Sequence, residues 1–213
     1  MSDHDDFAFD VAPGIPAPLP KGEEVLWQGR PATSALAREA FKIRWIAGYM
    51  ALLVLWKAGA GFADGGAALA VLRGLPYLVL ALAAVGVVWL LAWAQARATV
   101  YTVTTARVLM KIGAALSVTY NIPFAQVATA RLDLKPAGTG TIALETMGDT
   151  RLAFLALWPH LRPGRMKKTE PALRCIPDAE RVARLLAEAA ETRLAMPVVT
   201  RAEPAVADAV AAE

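Results

Sequence analysis

The stretch Leu75–Ala94, LPYLVLALAAVGVVWLLAWA, carries no charged side chain. As a helix rising about 1.5 Å per residue it covers about 30 Å, the thickness of the hydrocarbon core of a bilayer. Tyr77 near one end, and Trp89 and Trp93 near the other, suit aromatic belts at the two membrane surfaces. A weaker apolar run precedes it, from Trp45 to about Ala63. That run contains Lys57 close to its glycine-rich end (Gly59, Gly61, Gly65, Gly66), where a lysine stem reaches the headgroups, and Asp64 sits among the glycines. The two runs predict a transmembrane helical hairpin over 45–94, with spans at about 45–63 and 75–94. Ala67–Gly74, which carries Arg73, reads as an interfacial prelude to the second span, or as part of a third membrane segment.

The rest of the chain agrees with this local signal. Apolar residues make up 56% and charged residues 19%, against roughly 25% charged in soluble domains, and much of the apolar excess lies between Trp45 and Ala94. Arg38, Lys42 and Arg44 precede the first span and Arg97, Arg107 and Lys111 follow the second, whereas the turn offers Lys57 and Arg73 offset by Asp64. The positive-inside rule therefore puts both flanks in the cytoplasm of a bacterial inner membrane. Residues 34–44 form a basic amphipathic lead-in that reads either as a contact with anionic headgroups or as a plain helix extension. The start, MSDHDDFAFD, is acidic where a secretory signal would be basic. A formal charge of +3, spread without a dense tract, argues against a nucleic-acid partner. Cys175 is the single cysteine, and His4 and His160 are the two histidines, so neither a disulfide nor a histidine-rich metal site is expected.

After Arg97 the apolar period changes to two. Short β-favouring runs occur at 99–104, 107–112, 117–122, 127–134, 141–146 and 151–157, separated by turn signals at Thr105-Ala106, Gly113, Pro123, 136–140 and Gly148-Asp149. Such runs predict antiparallel meanders with one buried face. A basic insert, 158–171, concentrates Arg162, Arg165, Lys167 and Lys168, and a last strand is expected at 172–176. Asp178 then reads as the N-cap of a helix with Val182, Leu185, Leu186, Ala189 and Leu194 at helical spacing, which should cap an open end of the sheet. Residues 1–20, acidic and proline-rich, read as a flexible arm, 21–44 as a cytoplasmic lead-in whose 25–27 core is an edge strand or a membrane-surface contact, and 196–213 as a loose tail.

No constellation points to catalysis: the sequence has no nucleophile elbow, phosphate-cradling glycine loop, HExxH or CxxC. Gly138-Thr139-Gly140 lies between two strands and reads as a turn, Glu145 and Asp149 as a strand end and a turn, and Cys175 as a small core residue. An enzyme is not expected, and neither is a cofactor. Three features suit binding instead. The basic insert and the residues Arg38, Lys42 and Arg44 suit anionic lipid headgroups or an acidic protein, against the plainer reading of solvated positions. Small residues of the hairpin (Ala47, Gly48, Ala51, Ala83, Ala84, Gly86) permit close contact with another membrane subunit or a second copy of the chain, or packing within the hairpin itself. Exposed sheet edges can accept a partner strand.

Several phrases together resemble a known family. GEEVLWQGRP before the hairpin, YTVTTARVLMKIG after it, NIPFAQVATARLD, and GTGTIALET followed by RLAFLAL are similar to the bacterial pleckstrin-homology-like (PH-like) domains that follow two membrane helices. Tyr101, Thr102, Val103, Thr104, Arg107, Val108, Ile122, Pro123, Gln126 and Val127 carry the match, over roughly Lys21–Leu194. The resemblance implies a membrane α-helical hairpin plus a PH-like antiparallel β-sandwich or open barrel, capped by a C-terminal helix, an α+β architecture with the PH-like domain at 97–195. Within that family, the acidic start, LWQGRP and the long insert before the last strand look like the subfamily that builds the photosynthetic reaction centre of purple bacteria. That likeness implies a non-enzymatic assembly role, with membrane subunits of the reaction centre or light-harvesting complex as partners. The alternative is a lipid- or protein-binding module of a non-photosynthetic pathway. Phosphoinositide recognition is not implied, since the loop between Met110 and Ser117 offers Lys111 alone.

Overall fold

The computed structural model describes residues 14–114, 117–135, 138–147, 154–164 and 169–195. Strand β1 (Val25–Gly29) is followed by helix α1 (Thr33–Glu39) and the long apolar helix α2 (Ile43–Ala98). Strands β2 (Val100–Thr104), β3 (Arg107–Ile112) and β4 (Val118–Pro123), a 3₁₀ turn at Phe124–Gln126, and strands β5 (Val127–Leu134) and β6 (Thr139–Thr146) come next. A helical turn α3 (Phe154–Leu157), strand β7 (Ala172–Pro177) and helix α4 (Ala179–Ala195) complete the order.

Two antiparallel sheets form, β1-β2-β3-β4 and β5-β6-β7. Their inner faces meet in one core: Tyr101, Val103, Val108, Met110 and Ile122 from the first sheet, Ile142, Leu144, Leu173 and Ile176 from the second, and Val182, Leu186 and Ala189 from α4. Each fully buried Leu or Ile contributes about 1.5–3 kcal/mol, so the α4 stripe holds the helix against the sheet. Leu194 lies past that contact and is exposed. Asp178 precedes α4 with a left-handed backbone (φ 51), and its carbonyl accepts the Val182 N–H at 3.2 Å.

In chain order the apolar helix separates the first strand from the rest of its sheet. β1 pairs with β2 in the register Trp27↔Val103, Gln28↔Thr102 and Gly29↔Tyr101, so 25–27 is an edge strand. The opening phrase now has a physical reading. Glu23 accepts from Thr104 Oγ1 (2.7 Å) and, as a fork, from Arg107 Nε (2.9 Å) and Nη2 (2.7 Å), tying the chain before the helix to the turn beyond it. The Trp27 ring folds over Gly29, where a Cβ would lie 2.3 Å from ring carbon Cζ2, so only glycine fits there. The arm expected at 1–20 ends differently: Gly14 and Ile15 are buried, with a Cβ on Gly14 meeting Val100 Cγ1 at 2.6 Å, and residues 1–13 lie outside the described residues.

The sequence reading of two separate spans with a long turn needs correction. One helix, Ile43–Ala98, is long and apolar enough to cross a membrane, and it is folded at Gly65 and Gly66, whose backbone leaves the helical region (Gly66 φ 74, ψ −163). Ala67–Gly74 is helical and continuous with the returning arm. The arms run antiparallel and close: a Cβ on Gly61 would meet the Leu69 carbonyl oxygen at 2.6 Å, and one on Gly74 would meet Ala58 Cβ at 3.1 Å. Two glycines suffice for the turn because Gly66 takes a positive φ without a side-chain clash, and Arg73 pairs with Asp64 across it. Residues 67–74 are therefore used up in the second arm and leave no third segment. Lys57 Nζ lies over the rings of Trp56 (4.9 Å) and Tyr77 (5.4 Å).

The strand expected at 151–157 is also corrected. Its described part, Phe154–Leu157, is a helical turn in which Trp158 N–H bonds the Phe154 carbonyl at 2.9 Å. A short apolar run does not choose between helix and strand by itself. Here Leu157 reaches the core from a helical turn, and residues 151–153 lie outside the described residues.

Candidate functional site

The residues expected to contact a partner fall at the foot of the hairpin and in the basic insert. At the foot, α1 is amphipathic over two turns, with Ala35, Leu36 and Ala37 buried and Arg38 exposed. Ala35 and Leu36 pack with Ala96 of the last turn of α2 and Cys175 of β7, while Ala32 N–H bonds the Cys175 carbonyl at 2.8 Å. Lys42 then takes a left-handed conformation (φ 54, ψ 34) that breaks the helix and starts α2 in a new direction. Arg38, Lys42 and Arg44 are brought together around this bend, all exposed, and none of them pairs with a described acidic residue.

The three line an open groove of about 780 Å³ with Glu39, Trp45, Gly48, Tyr49 and Leu52. Its charged end faces the sheet domain and its apolar end runs up α2. Trp45 is 80% exposed, and Arg97 lies over the Trp93 ring at 5.7 Å, so aromatic and basic groups ring the foot. Phe41 packs edge-on against Trp158 (5.1 Å between ring centres), joining the ring to the loop after α3.

Of the basic residues in the insert, Arg162 is among the described residues. Arg162 Nη1 donates to Glu170 Oε2 at 3.0 Å, and Glu170 is buried, so this arginine is spent on holding the loop. The loop closes further through the Leu161–Pro171 bridge and Arg162 N–H to the Glu170 carbonyl (2.9 Å). Arg165, Lys167 and Lys168 lie outside the described residues.

Sequence reasoning missed a buried polar chain behind the foot. His160 is fully buried, with Nδ1 at 2.6 Å from Tyr101 Oη and Nε2 at 3.0 Å from Thr99 Oγ1. Thr99 donates its own proton to the Gln95 carbonyl (2.7 Å), so Nε2 carries the histidine proton and Nδ1 accepts from Tyr101. Tyr101 Oη in turn accepts the Arg174 N–H at 3.3 Å, and Arg174 Nη1 donates to the Pro159 carbonyl at 3.0 Å. The chain links the last turn of α2, β2, the α3–β7 loop and β7. Burial, aided by the Arg174 charge, holds the His160 pKa down at about 3, so the imidazole is neutral. Burial pushes the Tyr101 hydroxyl far up, and the Cys175 thiol up to about 11. Nothing in the sequence pointed to this network, because the links that join its two halves span 59 to 73 residues.

A bacterial PH domain model matches residues 43–190. The chain belongs to the bacterial PH domain family. A curated relative from Rhodobacter capsulatus, called an uncharacterized 23.7 kDa protein in the puhA 5′ region, is 48% identical over 215 residues and covers all of both chains. No solved structure matches significantly. In this bacterial PH domain the first strand lies ahead of the matched residues, and the apolar helix is an insertion between the first two strands of one sheet. The loop 113–117 therefore joins β3 to β4.

Proposed function

We propose that this protein is a non-enzymatic assembly factor for the photosynthetic reaction centre and its light-harvesting complex in a purple bacterium. The observation that carries the reading is the relative aligned over its whole length and named for a place beside puhA, a photosynthesis-related context. On this reading the two arms of α2 cross the inner, intracytoplasmic membrane, the turn at Gly65-Gly66 lies outside and both ends of the chain are cytoplasmic. Exposed large apolar side chains along both arms, among them Leu52, Leu55, Phe62, Leu72, Leu82 and Leu90, support a lipid environment over a soluble core. An apolar groove of about 360 Å³ between the arms, bordered by Ala47, Ala51, Leu78 and Ala81, suits close contact with a helix of a membrane subunit.

Deleting the gene tests the role. Reaction-centre absorbance per cell should fall severalfold and return when the gene is supplied in trans; an unchanged absorbance and normal photosynthetic growth refute it. Reporter fusions at Asp64 and at Glu213 should fall in opposite compartments.

A further inference from the structure

We propose that the groove at the foot of the hairpin binds one anionic glycerophospholipid, with its phosphodiester among Arg38, Lys42 and Arg44 and an acyl chain along Gly48, Tyr49 and Leu52. The groove is graded as a lipid is graded. Three cations stand at one end against a single carboxylate, Glu39, and an apolar strip follows at the other.

The cations have no competing partner among described acidic groups, so a phosphodiester displaces only water. They approach from both sides of a chain reversal, because the left-handed Lys42 places Arg38 on one helix and Arg44 on the next. The apolar strip is open where a side chain is missing: a Cβ on Gly48 would meet no atom within 4 Å. Tyr49 and Leu52, 61% and 64% exposed, stand on that same face, one and four residues further along α2. Glu39 limits the site to headgroups that tolerate a neighbouring carboxylate, and a glycerol headgroup can donate hydroxyl hydrogen bonds to it. The occupant is a lipid and not a free phosphate, since a small anion would leave the strip along Gly48, Tyr49 and Leu52 unfilled.

The test uses the full chain purified in a non-ionic detergent, with lipid retention read by native mass spectrometry. Dioleoyl phosphatidylglycerol, dioleoyl phosphatidylcholine and soluble glycerol phosphate are the probes. Phosphatidylglycerol should be retained in about one copy, and phosphatidylcholine far more weakly. Arg38→Ala/Lys42→Ala/Arg44→Ala should weaken retention about a hundredfold, at about fivefold per basic side chain. Gly48→Leu keeps every charge and its Cβ enters open space, so it should fold as the parent does and still expel the lipid. Equal retention of the two lipids, retention unchanged in Gly48→Leu, or full competition by glycerol phosphate would each overturn the proposal. The last outcome would leave a plain anion site.

Discussion

Replacing Tyr101 with phenylalanine removes one oxygen atom from the core and nothing else. The ring still fills its fully buried place on β2, so no cavity larger than a hydroxyl is created. What is lost is the donor to His160 Nδ1 and the acceptor for the Arg174 N–H, two groups that water does not reach in their place. An orphaned buried polar group costs about 1–3 kcal/mol, which puts the sum for the two at about 2–6 kcal/mol. For a chain of this size each kcal/mol moves the midpoint by about 2–4 °C, so Tm should drop by about 10 °C. The hairpin stays helical in a micelle, and unfolding of the sheets is therefore followed by near-ultraviolet circular dichroism of the full chain in detergent. A companion variant, His160→Leu, and the double variant close the cycle: their losses should be less than additive by about 1 kcal/mol or more, because both break the same bond. A Tm within about 2 °C of the parent, or strictly additive losses, would refute the hydrogen-bond chain and the tautomer assigned to it.

Three further outcomes follow from the same geometry. His160 takes its proton near pH 3 when folded and near 6.5 when unfolded, so the unfolded chain binds more protons between those values and stability falls as pH drops through that window, staying whole above 6.5. Between pH 7 and 5 this amounts to about 2 kcal/mol, which His160→Gln should remove when Tm is compared at the two pH values; equal slopes in both proteins would contradict it. Glu23→Ala should cost about 2 kcal/mol by leaving the Arg107 guanidinium without its carboxylate, and adding Arg107→Ala should cost little more by the same thermal assay. With Cys175 changed to alanine, the pair Ala58→Cys and Gly74→Cys should close an intramolecular disulfide on mild oxidation, seen as a mobility shift reversed by reductant; the 3.1 Å between their Cβ positions is a few tenths of an ångström shorter than the usual range, a gap that a small shift of the arms supplies, and absence of the shift would disprove the antiparallel arms.

Which parts of this fold could be read from the residues follows from the range of the forces involved. β3 and β5 fall on the β-favouring runs bounded by turn signals, 107–112 and 127–134, although β3 is buried at four of its six positions and β5 is largely exposed. The apolar helix was legible by composition, but its turn was not: a charge inside the second arm looked like an end of the membrane until its partner Asp64 was placed beside it. The segment 154–157 was misread because four residues do not carry a period. β1 was recognisable as a short strand, yet its partner lies across the whole of α2, and pairing at that distance leaves no local mark. The site shows the same division. The clustering of Arg38, Lys42 and Arg44 was visible as sequence proximity, whereas the groove they share depends on the left-handed Lys42, and the internal duty of Arg162 depends on Glu170 eight residues on.

Placing a membrane helix between adjacent strands has a mechanical consequence that a domain hung from a linker would lack. The chain leaves the sheet at Gly29 and returns at Val100, one residue from the position paired with Gly29, so departure and return are about one strand spacing apart, near 4.8 Å. Only residues 30–32 separate β1 from α1, and Thr99 alone separates α2 from β2. A flexible linker of a dozen residues would let the sheet wander over about 20 Å. Here both junctions are also pinned from the side, by Ala32 to Cys175 on β7 and by the Thr99–His160–Tyr101 chain that reaches the same strand through Arg174. Tilting the hairpin must therefore drag β2 and β7 with it or break buried hydrogen bonds costing about 1–3 kcal/mol each. The sheet is held at one height and one rotation relative to the arms, so the exposed β5 edge and the basic foot keep a fixed geometry to them, which the assembly role proposed above would require.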